Sequence, residues 1–149
     1  MLLPKLTGWR AQYERMTRSY ARISKPYLSS VEYDDDLRHF FQDCWHLKDW
    51  ITHDGAITGI DIEEEVKKCK PLRIAADLAN GSKHYAADRN RREDANVTSI
   101  SVNVHLDGSP VDVNQTVTLK DGSSMEVMIA AKDALDAWDV ILRKCHLIT

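Results

Sequence analysis

The sequence predicts an α+β protein, mainly α, in which a four-helix bundle carries a small three-stranded antiparallel sheet inserted before the last helix. Three observations lead to that expectation. Apolar residues recur at helical spacing in three stretches between Gly8 and Tyr85, the period falls to two between Val97 and Ile129, and helical spacing returns from Ala131 to Cys145. Helices and strands are thus segregated along the chain, the order of an α+β fold and not of an alternating α/β sheet.

The first helix is expected over about 8–24, with Thr7 as its N-cap and Trp9, Tyr13, Met16, Tyr20 and Ile23 on one face until Pro26 ends it. Its other side carries Arg15, Arg18 and Arg22, a basic strip that reads as a solvated face with phosphate binding as the lesser alternative. The second helix, about 32–53, follows Ser29 and Ser30. Asp34, Asp35 and Asp36 suit its first turn, where the helix dipole favours negative charge. Leu37, Phe40, Phe41, Cys44, Leu47 and Ile51 give it a core stripe, and Asp54-Gly55 ends it.

Asp61 caps a third helix expected over about 61–85. Pro71 should kink or restart it, because proline lacks the amide and its ring crowds the carbonyl four residues back. The charged run from Ala86 to Asn96 reads as an exposed loop. Strands are expected over about 97–106, 113–119 and 124–129, with turns at Gly108–Pro110 and Asp121-Gly122. Their single apolar face implies a sheet laid against the helices. The last helix, about 131–145, places Ala134, Leu135, Trp138, Ile141, Leu142 and Cys145 on one side.

With 149 residues the chain is expected to be a single domain, 1–149, large enough for its own core. A hydrophobic content of 43% and a charged content of 29% are ordinary for a globular protein. The net charge of −3 argues against a surface that is wholly a nucleic-acid footprint and leaves room for a local patch. Cys44, Cys69 and Cys145 are widely spaced, fall on apolar positions and read as free buried thiols of a reducing compartment. No charged segment precedes an apolar run at Met1, and no run approaches the ~18 apolar residues of a membrane span. The expected location is cytoplasmic, without a membrane. The cysteines lack zinc-ligand spacing, no glycine-rich loop follows an expected strand, and no serine nucleophile elbow is present. No cofactor is assigned.

The most informative stretch is Leu72 to Tyr85, LRIAADLANGSKHY. Arg73, Asp77, Asn80 and His84 recur there at i, i+4, i+7 and i+11, so one helix would line them along one face. A polar row on a buried helix needs partners, since an unpaired amide, carboxylate or imidazole costs on the order of a few kcal/mol. A second polar strip on the 32–53 helix holds His46, Asp49 and His53 beside Trp45 and Trp50. Three readings follow. The first is a structural network in which Asp49 and Asp77 orient histidines and pair with Arg73 or Lys83. The second is a ribonuclease-like site with His84 as general acid or base, Asn80 positioning phosphate, and Lys83 or Arg73 stabilising charge. The third reading is a metal site of His46, Asp49 and His53 completed by Asp77 and His84; it lacks an HExxH signature, and no metal ligand is assigned. The candidate binding residues are Arg73, Asp77, His46, Asp49 and Trp50.

The segment Asn80 to Tyr85, NGSKHY, resembles the C-terminal part of the motif of HEPN domains, helical-bundle proteins many of which are ribonucleases of toxin and phage-defence systems. In that family an Arg, a polar residue, a few variable positions and a His lie near a helix end, and in dimers the Arg and His converge on RNA phosphate. The resemblance implies Asn80 at the polar position and His84 at the histidine. Ala79 stands where the family has its Arg, and Arg73 lies about 16 Å from His84 along an ideal helix, so a dimer partner would have to supply an arginine. The segments CWHLKDW and DLANGSKH are also similar to bacterial and phage proteins of unknown function. The expectation is a non-catalytic interaction or regulatory helical domain in a bacterial or phage defence context, with a protein partner, a homo-oligomer or RNA as its target. The alternative is a metal-independent HEPN-type endoribonuclease using His84, Asn80 and Lys83.

Overall fold

A computed structural model describes residues 8–80 and 93–149. Its elements are α1 (Gly8–Ile23), α2 (Ser30–His53), α3 (Ile62–Lys68), α4 (Lys70–Asn80), β1 (Asn96–Asn103), β2 (Asp112–Thr118), β3 (Ser124–Glu126) and α5 (Val127–Lys144). The architecture is α+β and mainly helical, with a three-stranded antiparallel sheet ahead of the last helix. No helix of the described residues is long and apolar enough to cross a membrane.

α2 is the element the others pack on. Ser29 caps it by accepting the Glu32 N–H at 3.4 Å, and Leu37, Phe40, Phe41, Cys44, Leu47 and Ile51 are buried as the stripe requires. α1 and α4 lie along it, with α3 and α5 against its remaining sides. Because α2 begins at Ser30, Asp34, Asp35 and Asp36 fall beyond the first turn, where the dipole effect has faded. Two of them serve side chains instead. Asp36 accepts the Tyr27 hydroxyl at 2.6 Å, and Asp34 takes Arg38 at 2.9 Å and Gln115 at 3.3 Å. Burial, then the bond to Asp36, pushes the Tyr27 phenol well above its ordinary range.

The expected helix over 61–85 is two helices. Asp61 caps α3 by accepting the Glu63 and Glu64 amides, but Cys69 is extended (φ −98°, ψ 107°) and breaks the coil. Pro71 then sits in the first turn of α4, where its missing amide costs nothing. The third strand is likewise shorter than the 124–129 expected, and the last helix starts earlier than 131. Glu126 is extended and its carboxylate accepts the Met128 N–H at 3.1 Å, capping α5. Val127, Ala130, Ala131, Ala134, Trp138, Ile141 and Leu142 form one continuous buried stripe, which overrides the period-two pattern and leaves Ile129 exposed. The Trp138 indole donates to the Cys44 carbonyl at 2.9 Å and ties α5 to α2. All three cysteines are free, Cys44 and Cys145 buried and Cys69 half-buried; burial foremost, with Asp43 adding to it, holds the Cys44 thiol well above its usual pKa.

The sheet runs β1-β2-β3, with Gly122 at φ +85° closing the β2–β3 turn where a side chain would be strained. Val97, Ile100 and Val102 of β1 stand opposite Val117, Gln115 and Val113 of β2, with a bulge between Val97 and Ser99. Directly opposed residues share a face, so these aliphatics lie on the side of the sheet that β2 turns toward the core. Gln115 and Val117 are buried, yet every residue of β1 is exposed. The expectation of a sheet laid against the helices therefore holds for β2 and fails for β1 beyond its entry, since Val97 lines a cleft with Leu37, Phe41 and Leu78 whereas Ile100 and Val102 are exposed.

Candidate functional site

α4 is continuous through Asn80, its last residue, so Arg73, Asp77 and Asn80 do share one helix. Their chemistry is structural where it is described. Arg73 donates through Nε and Nη2 to Glu93 Oε1 at 3.0 and 2.9 Å, and through Nη1 to the Lys67 carbonyl at 2.7 Å. Asp77 is buried, and its Oδ2 accepts the Ala95 N–H at 3.1 Å. Both residues thus hold positions 93–95, the lead into β1, with charge-assisted bonds. That end of the expected exposed loop over 86–96 is in fact packed, since Glu93 is largely covered and Ala95 is buried. Lys83 and His84 lie outside the described residues, as does Thr7.

Beside Asp77 is a cleft of about 320 Å³ whose polar lining is Asp34, Arg38, Asp77, Asn96 and Gln115. Its groups are already matched. Gln115, 2% exposed, donates to Asp34, which also takes Arg38.

The strip on α2 is a separate surface. His46 lies about 12 Å beyond Arg38 along the helix, so the structure does not bring His46 and Asp49 to the Asp77 cleft. His46 Nδ1 is 3.5 Å from Asp49 Oδ2, both side chains being more than half exposed. Between them Lys48 is buried, its Nζ 2.8 Å from both Asp49 and Glu63 and 4.4 Å over the Trp45 ring. Burial works against the Lys48 charge, but hydrogen bonds to Asp49 and Glu63 outweigh it and its pKa is raised. Half-buried Trp50 meets His53 edge-on at 5.8 Å. His53 is 3.4 Å from Asp54, whose other oxygen accepts the Trp9 N–H at 2.6 Å. The strip fastens α3 and the start of α1 to α2. Among the described residues no three His, Cys, Asp or Glu side chains are placed to hold a metal ion.

Two features escaped the sequence reading. Ser19 donates to Asp43 Oδ2 at 2.7 Å and Gln12 to the Asp43 carbonyl at 3.1 Å, a buried polar seam between α1 and α2. Its signal was the spacing of Gln12, Met16, Ser19 and Ile23, which places two polar residues on the apolar stripe. The second is the bare aliphatic row of β1 and the turn after it: Val97 is 39%, Ile100 57%, Val102 39%, Val104 71% and Leu106 104% exposed. Its signal was the lack of any charged residue from Ala95 to Val104.

No protein-family model matches the sequence, and no curated protein or solved structure matches it either.

Proposed function

We propose that this chain is a non-catalytic interaction or regulatory module of the cytoplasm, in which the four longer helices form a bundle-like scaffold and β1 is the binding element. The observation that carries the reading is β1 itself: eight residues, all exposed, with aliphatic side chains on the face that its neighbour β2 buries. Contiguous apolar surface of this kind marks a binding site more often than a solvated face. The bonding of Arg73 to Glu93 and of Asp77 to Ala95 supports the same reading, because it engages in holding β1 the two side chains of the α4 row best suited to bind phosphate or move a proton. The resemblance of NGSKHY to HEPN motifs suggests a bacterial or phage defence setting for such a module.

The reading is tested against the nuclease it displaces. Purified protein is expected to leave single-stranded RNA intact in EDTA from pH 5 to 9. Cleavage that His84→Ala abolishes while the fold is retained would overturn it.

A further inference from the structure

We infer that β1 pairs antiparallel with β1 of a second copy of this chain, about a two-fold axis near Ser101, joining two three-stranded sheets into one of six strands. The inference rests on the interaction-module reading and names its partner.

β1 ends the sheet, and among the described residues its only strand neighbour is β2. Its outer edge therefore presents backbone N–H and C=O groups ready to template another strand. Folded proteins usually block such an edge with lysine, proline, an inward-pointing charge or a bulge. From Asn96 to Asn103 there is no charge and no proline, and the one bulge lies between Val97 and Ser99, leaving positions 99–103 in regular register.

The pattern of those five residues favours a second copy as the occupant. A two-fold axis at Ser101 sets Ile100 of one copy opposite Val102 of the other, twice, and Ser99 opposite Asn103, twice, with Ser101 facing itself. Apolar residues then meet apolar on one face and small polar residues meet polar on the other, the cross-strand matches that stabilise a sheet. Charge agrees. Each chain carries a net −3, but no charged side chain falls within the paired stretch, so the join sets no like charges across it. Pairing edge to edge leaves both sheet faces open and buries only the backbone edge and the flanks of residues 99–103, well below the ~800 Å² per partner of a standard interface. A contact of that size belongs with the weak, reversible interfaces. Isologous pairing also consumes the edge in each copy, so assembly stops at two.

Sedimentation velocity over a range of micromolar concentrations, with cysteine cross-linking, tests the proposal. The wild type is expected to dimerise. Val102→Lys is expected to weaken the dimer about tenfold or more, while the melting temperature read at concentrations too low for association stays close to that of the wild type, because Val102 is exposed. Ser101→Cys should form a reducible covalent dimer, because residues paired across an antiparallel axis have Cα atoms within disulfide range. Asn114→Cys, the neighbour of Ser101 one strand inward on β2, should not. A wild type that stays monomeric, a dimer indifferent to Val102→Lys, or covalent dimer at position 114 as readily as at 101 overturns the pairing. If the wild type is monomeric yet binds another protein through a surface that Val102→Lys destroys, the module reading stands and self-association alone falls.

Discussion

α5 and β1 carry equally regular apolar patterns and meet opposite fates. In α5, Ala134, Trp138, Ile141 and Leu142 recur at helical spacing and are buried against the helices and β2. In β1, Val97, Ile100 and Val102 are aligned just as consistently by their pairing with β2, and they remain exposed, Val97 at a cleft beside α2 and α4. Periodicity tells which side chains share a face. Whether another part of the same chain reaches that face depends on how far each element extends past its neighbours. β2 lies over α5, whereas β1 lies one strand spacing, about 4.8 Å, farther out, and only its entry at Asn96 and Val97 stays beside α2 and α4.

If α5 is part of the core and β1 is not, substitutions should separate them widely. Trp138→Ala is expected to cost about 3–5 kcal/mol in urea unfolding, from the cavity it leaves and the lost indole bond to Cys44. A loss much smaller than that would mean that the α2–α5 seam is not the centre of the core. Between the two extremes stands the link from α4 to the entry of β1. Asp77→Ala is expected to cost about 1–3 kcal/mol, as a buried carboxylate–amide bond is removed, and to speed hydrogen exchange at the Ala95 amide more than at the amides of α5. Unchanged protection of Ala95 would show that Asp77 does not hold the strand entry. At the small end, Ile100→Ser is expected to move the stability of the monomer by no more than about 0.5 kcal/mol, measured at protein concentrations too low for association. A loss of several kcal/mol there would erase the contrast, since it would require that Ile100 is covered within its own chain.

The polar residues teach the same lesson. The sequence placed Arg73, Asp77 and Asn80 on one helix correctly, because a 3.6-residue repeat is a local property. It did not reveal that Arg73 would meet Glu93 or that Asp77 would meet Ala95, contacts 20 and 18 residues apart along the chain. Nor did it separate the His46–Asp49 strip from the Asp77 cleft, since which half of α2 faces α4 is fixed by packing. Gln115 was legible in principle, being a polar residue at the parity of Val113, Val117 and Leu119. Its partner Asp34, 81 positions away, was not.

The residues by themselves determined the helix-rich order, the cap at Asp61, the restart at Pro71, the turn at Asp121-Gly122 and the buried stripe of α2. Backbone sterics, end-group hydrogen bonding and the burial of a repeating apolar face act over a few residues and can be read from neighbours in sequence. The early start of α5, the uncovered row of β1 and the engagement of Arg73 and Asp77 were decided only in three dimensions. They follow from competition among distant segments for one core, and a strand beyond the edge of that core keeps its aliphatic face open however regular its sequence.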